Sequence, residues 1–149
     1  MAWTADDIPS QEGRLALVTG ANSGLWLATI KALATRQATV ILACRSNRKA
    51  EAAQQQLHDQ GLSGLELLEL DLADLSSVQR AAESVRDRHG RLDLLINNAG
   101  VMAPPRRTTV QGHELQFGVN HLGHQALTQA LLPLMENRPD ARVVTVTSG

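Results

Sequence analysis

At 149 residues, 43% of them hydrophobic and 19% charged, the chain has the size and balance of one globular domain with its own core. A net charge of −1, with Lys and Arg spread along the chain, excludes nucleic-acid binding as a leading function, because neutralising phosphates requires a basic stripe. Cys44 is the single cysteine, so no internal disulfide can form; at the end of an apolar run it reads as a small buried side chain in a reducing compartment, the cytoplasm.

Residues 1–13 read as a polar tail. The first nine carry Asp6 and Asp7 and lack a basic start or an apolar stretch, so they predict neither a signal peptide nor a membrane anchor. Five short runs rich in Val, Leu and Ile follow, at residues 14–19, 39–43, 65–70, 92–96 and 142–147. They are apolar at consecutive positions, which suits strands covered on both faces. Between them, residues 25–36, 48–60, 75–89 and roughly 111–136 carry apolar residues or alanine at three- and four-residue spacing, the signature of helices. Pro104-Pro105-Arg106-Arg107 reads as a rigid polar loop after the fourth strand.

Strand alternating with helix predicts a doubly wound α/β domain over residues 14–149, a Rossmann-like parallel sheet. Right-handed crossovers place its strands in the order 3-2-1-4-5, with ligands at their carboxyl ends. The motifs fall at those ends. Thr19-Gly20-Ala21-Asn22-Ser23-Gly24-Leu25-Trp26 joins the first strand to the first helix. In that context glycines let the backbone approach a pyrophosphate, whose charge the helix amides stabilise. Arg45 ends the second strand, Asp71-Leu72 the third, and Asn97-Asn98-Ala99-Gly100 the fourth.

In these motifs the chain resembles the short-chain dehydrogenase/reductase family, whose fingerprint is T-G-x-x-x-G-x-G, and the wording TGANSGL is most similar to its retinol-dehydrogenase-like branch. The resemblance runs from about Arg14 to the end. It implies a nicotinamide dinucleotide cofactor and an alcohol or carbonyl substrate. Gly20, Asn22, Ser23, Gly24 and Leu25 would face the phosphates. Asp71 and Leu72 would line the adenine pocket, and residues 97–100 would border the cofactor. Where family members selective for NAD carry an acid, Arg45 suits the extra phosphate of NADP, although Arg48 and Lys49 could serve the same end. Asp71, like Asp74, is also a candidate helix cap. Asn120 matches the family's catalytic-site asparagine and Ser148 the serine that hydrogen-bonds the substrate oxygen. The family then uses a tyrosine, and a lysine four residues after it; the sequence holds no tyrosine. No useful turnover is expected from this chain alone.

Two residues depart from the family pattern. Trp26 stands at the third glycine of the fingerprint. As a helix residue Trp exceeds Gly by somewhat under ~1 kcal/mol, whereas forcing an indole into a place without a side chain costs roughly 1 to 3 kcal/mol. Crowding is expected to win, and to disfavour the pyrophosphate. Gln37 stands where the family has glycine after the first helix, a place that often needs a left-handed backbone, at a cost on the order of 1 kcal/mol.

His121 and His124 lie three apart on a predicted helix without an evident third ligand, so no metal site is expected. The last strand, Val143-Val144-Thr145-Val146, reads as a buried central strand that here forms an edge, which predicts self-association. Two functions follow: the cofactor-binding portion of an NADP(H)-dependent oxidoreductase, or a catalytically inactive nucleotide-binding or pairing module, including a truncated gene product.

Overall fold

The computed structural model describes residues 1–20 and 24–147. Strands β1 (Leu15–Thr19), β2 (Thr39–Cys44), β3 (Leu65–Glu69), β4 (Leu94–Asn97) and β5 (Arg142–Thr145) alternate with helices α1 (Gly24–Thr35), α2 (Asn47–Asp59) and α3 (Leu75–Arg88). All pairings are parallel and the sheet order is β3-β2-β1-β4-β5, as the strand–helix alternation predicted.

Consecutive apolar residues have a direct structural meaning here. Side chains alternate across a strand, so Leu15 and Leu17 point to one layer and Ala16 and Val18 to the other. Leu15, Leu17, Ile41, Leu95 and α3 residues Val78, Ala81 and Val85 form one core. Ala16, Val18, Val40, Leu42 and α1 residues Ile30 and Leu33 form the second. A sheet buried on both faces needs both sets, which is why β1 is apolar from Leu15 to Val18, with the polar Thr19 only at its carboxyl end.

One predicted helix is corrected. The stretch 111–136 is not continuous: Thr108 bridges Glu114 and Gly112 turns the chain at φ 86° before any helix begins. The Glu114 carboxylate then accepts the N–H groups of Gln116 and Phe117 at 2.7 and 3.0 Å and starts α4 (Leu115–Phe117). A π-helical turn, Gly118–Gly123, follows, then α5 (His124–Leu131) and a closing 3₁₀ turn containing Pro133. Gly123 lies so close to the β3–α3 loop that an added β-carbon would come within 2.5 Å of the Leu72 carbonyl oxygen. Helical spacing is common to all these segments, so periodicity alone merged them.

Gln37 adopts φ 73°, the left-handed conformation its position after α1 called for. The amino-terminal segment lies against the domain: buried Gln11 donates its N–H to the Arg36 carbonyl at 2.7 Å, and the Arg36 guanidinium donates to the Asp6 carbonyl. Among the described residues no helix is long and apolar enough to cross a membrane. Strand β5 is an edge, and Val143, Val144 and Val146 are 40, 43 and 42% exposed.

Candidate cofactor cleft

A cleft opens at the carboxyl ends of β1 to β4. Six of the sequence-predicted residues line it: Gly20, Arg45, Asp71, Leu72, Ala99 and Gly100. Others stand apart. Leu25 is exposed on the first turn of α1, and Gly24 lies in a separate hollow beside Leu27 and Gln56. Asn97 is buried in β4 and donates from Nδ2 to Thr128 Oγ1 at 3.1 Å. Asn98 takes part through its backbone. Asn22, Ser23 and Ser148 lie outside the described residues.

Lys49, the alternative cation beside Arg45, lines the cleft too, and the structure adds Cys44, Ser46, Leu70, Ala73, Val101, Leu115 and Val119. Ser46 was legible in principle, since a serine before Asn47-Arg48-Lys49 is an N-cap pattern. It caps α2 by accepting the Lys49 N–H at 3.3 Å. Arg45, Lys49 and the positive end of α2 therefore bring positive charge to one wall. Cys44 is buried as expected but also reaches the cleft; its thiol donates to the Ser46 carbonyl at 3.1 Å. Burial pushes this thiol upward in pKa, beyond the lowering by nearby backbone and Lys49, so it is not an activated nucleophile.

The two aspartates after β3 divide their roles. Asp74 caps α3, its Oδ1 accepting Ser76 N–H at 3.0 Å and Gln111 Nε2 at 3.1 Å. The Gln111 amide, followed by the Ser76 N–H, holds the Asp74 carboxyl below its ordinary value. Asp71 closes the tight turn to Ala73, Oδ1 to N–H at 2.9 Å, and faces the cleft.

Trp26 is 1% exposed and packs in the core between α1 and β1, with Nε1 donating to the Val18 carbonyl at 3.3 Å. It lies directly on Gly20: a β-carbon built there would overlap Cγ, Cδ1 and Nε1 of the indole. The bare backbone at Gly20 thus accommodates the ring that replaces the small helix residue of the fingerprint. Trp26 does not itself line the cleft; it crowds the glycine that does.

On the opposite wall, the Thr19 hydroxyl accepts the N–H groups of Asn98 and Ala99 at 2.9 and 3.0 Å. Asn120 holds the backbone of Val101 from both sides, Oδ1 accepting its N–H and Nδ2 donating to its carbonyl, each at 2.8 Å. His121 is exposed and stacks on Phe117, whereas His124 turns inward to Thr19, so the two imidazoles diverge. Among the described residues no group of three side chains is placed to hold a metal.

A cleft at the carboxyl ends of a parallel sheet, with a glycine turn, a basic wall and a braced Asn-Asn-Ala-Gly turn, is the arrangement of a dinucleotide site. The family model for short chain dehydrogenases matches residues 14–149. The chain belongs to the short-chain dehydrogenase family. It is 42% identical over 137 residues to human retinol dehydrogenase 13, covering 91% of this chain and 41% of that protein. It is 44% identical to human retinol dehydrogenase 14, covering 91% and 45%. The chain therefore spans about half the length of these curated relatives. Among solved structures, that of an uncharacterised protein from Mycobacterium paratuberculosis superposes with TM-score 0.83 at 51% identity, covering 91% of this chain and 47% of that one. The RhlG/NADP active-site complex from Pseudomonas aeruginosa superposes with TM-score 0.77 at 28% identity, covering 93% and 56%.

Short-chain dehydrogenases bind nicotinamide dinucleotides, and the residues present suit most of such a group. Leu70, Leu72, Ala73 and Val119 offer apolar walls for a flat base, and Arg45 and Lys49 offer cations. At Gly20 the backbone is bare, as a close diphosphate requires, but the neighbouring indole limits its freedom to shift.

Proposed function

We propose that this chain is the cofactor-binding portion of an NADP(H)-dependent short-chain oxidoreductase acting on an alcohol or carbonyl. The carrying observation is Arg45 beside Lys49 and Ser46 at the start of α2, on the cleft. A guanidinium with exposed helix amides suits a phosphate on the ribose better than a pair of ribose hydroxyls. The relative in complex with NADP supports the same choice. In this reading residues 14–149 are the dinucleotide-binding domain. Gly20, Asn22, Ser23, Gly24 and Leu25 hold the diphosphate, Asp71 and Leu72 the adenine, and the Asn97–Gly100 turn the far end.

A bound nicotinamide would donate a hydride to a carbonyl or accept one from an alcohol. In this reading Asn120, which orders the Val101 backbone, and Ser148 belong to the reaction centre. A general acid or base typically contributes about 10² to 10⁴ in rate; the family's tyrosine, which would fill that role in this reading, is not among these 149 residues. We place it in the cytoplasm, a reducing compartment that suits a chain whose single cysteine, Cys44, is a buried thiol.

Calorimetric titration with NADPH and NADH tests this reading. NADPH should bind more tightly, and Arg45→Leu should weaken NADPH by about 10- to 100-fold while leaving NADH unchanged, as expected for charge-assisted hydrogen bonds. Trp26→Gly, by freeing Gly20, should tighten both nucleotides. Equal affinities that Arg45→Leu does not alter would overturn the NADP assignment.

The exposed valines of β5 favour a second reading, a pairing module. The sequence places no charge or proline between Val143 and Thr147 to protect the edge. Light scattering should show a dimer or larger species that Val144→Lys returns to monomer. A wild-type monomer at high concentration would count against pairing.

A further inference from the structure

Thr19 and His124 are buried, 0 and 6% exposed, and only one arrangement of hydrogens satisfies both. A hydroxyl oxygen has two acceptor positions and one hydrogen. In Thr19 the N–H groups of Asn98 and Ala99 take both acceptor positions. The hydrogen then chooses between His124 Nε2 at 2.8 Å and the Ile96 carbonyl at 3.5 Å, and the shorter contact takes it. Nε2 is therefore the bare nitrogen of a neutral imidazole. The ring proton sits on Nδ1, facing the Asn120 carbonyl at 3.3 Å.

A closed circuit results. Thr19 holds the start of the 98–101 segment, the Asn120 side chain holds its end at Val101, and His124 joins Thr19 to the Asn120 backbone. Ala99, Gly100 and Val101 line the cleft, so this circuit sets the position of one wall. We propose that His124, as the neutral Nδ1–H tautomer, is the positioning residue that locks the 98–101 turn, and that protonating it releases the turn.

The physical reason is the loss of an acceptor. Protonated His124 would present a third N–H to an oxygen with two lone pairs, and the Thr19 hydrogen would lose its partner. Among the described residues no neighbouring charge compensates. The end of β1 contributes Thr19, the end of β4 Ile96 to Ala99, and α3 packs on this helix through Val78 and Ala81. In the β3–α3 loop, which Gly123 touches at Leu72, Asp71 bonds Ala73 and Asp74 caps α3. On its own helix the titratable neighbour is His121, exposed on Phe117. Burial holds the His124 pKa below its ordinary 6.5, against a smaller raising by the backbone of Asn120 and Val119. The contribution is thus complete above pH 6.5 and is lost as pH falls through the lower folded value.

The consequence for nucleotide binding rests on the cofactor reading; the circuit itself can be tested without nucleotide. Nitrogen-15 NMR of the imidazole should show the Nδ1–H tautomer. Hydrogen-exchange protection of the Asn98 and Ala99 amides should fall about tenfold as His124 titrates, the size expected for losing one hydrogen bond. His124→Gln, which offers an acceptor that cannot be protonated, should abolish that step. His124→Leu should leave both amides poorly protected at every pH, with β2 amides unchanged. An Nε2–H tautomer, or full protection of both amides in His124→Leu, would overturn the proposal. If the leucine variant does not fold, the wild-type tautomer and the glutamine profile decide.

Discussion

Replacing Gly20 by alanine should destabilise the chain by about 2 to 3 kcal/mol, the upper range for overpacking a closed core. The added β-carbon overlaps the Trp26 ring, and the ring cannot yield: it is fully buried, packed among α1 and β1 side chains, and hydrogen-bonded to the Val18 carbonyl. Trp26→Ala alone should also destabilise, by about 3 to 5 kcal/mol, because it leaves an indole-sized cavity. The decisive quantity is their coupling. With alanine at position 26 the same change at Gly20 should cost little, giving an interaction energy of about 2 kcal/mol, within the range for residues in contact. Urea denaturation of the two single variants and the double variant measures it. Additive effects would show that the indole and Gly20 do not compete for the same space.

Truncating Asp93 should produce the second large effect. Its side chain is 3% exposed and joins three groups, the Leu15 N–H at 2.8 Å, Arg91 at 3.0 Å and Arg138 at 2.8 Å, while its backbone bonds the amino ends of β1 and β5. Asp93→Ala should cost about 3 kcal/mol, the lower end for breaking a buried ion pair, since both guanidiniums remain partly exposed to water. For a domain of this size that corresponds to a fall in Tm on the order of 10 °C. Burial raises the Asp93 pKa, but the Arg138 hydrogen bond, the Leu15 N–H and the two nearby cations together overcome it, and the net shift is downward from 3.8. Asp93 thus stabilises the fold fully above pH 3.8 and loses that contribution as pH drops through the folded value. Acid titration of stability should be shallower in the alanine variant; identical acid limbs would contradict this assignment.

These two effects differ in how far they could be foreseen. Trp26 is conspicuous because it interrupts a glycine pattern, and the competition between helix preference and crowding can be stated from the sequence. What cannot be stated is that Gly20 supplies the space, because that depends on how closely α1 approaches β1. Asp93 carries no signal at all. An aspartate after Arg91-Leu92 reads as an ordinary polar strand entry, and its partner Arg138 is 45 residues away.

The cleft shows the same division. Gly20, Arg45, Asp71 and the turn after β4 stand at strand ends that the apolar runs already mark. Val119 does not, because it reaches the cleft from a π-helical turn, and the choice of Lys49 over Arg48, left open by the sequence, depends on which face of α2 meets the cleft. The assignment of capping to Asp74 and the cleft to Asp71 was open in the sequence and was decided by the turn that brings Gln111 to Asp74.

The sequence by itself determined the doubly wound sheet, its order and the end of the sheet at which the cleft opens. Consecutive apolar residues require cover on both faces, and right-handed crossovers then leave few topologies. Only the tertiary structure decided the contacts between distant residues: the Trp26 ring on Gly20, the Asp93 cluster, and the Thr19–His124 bond spanning 105 positions. Local pattern sets where elements lie because it reflects burial one residue at a time, whereas hydrogen-bond geometry and steric fit depend on distances that exist only once those elements have packed.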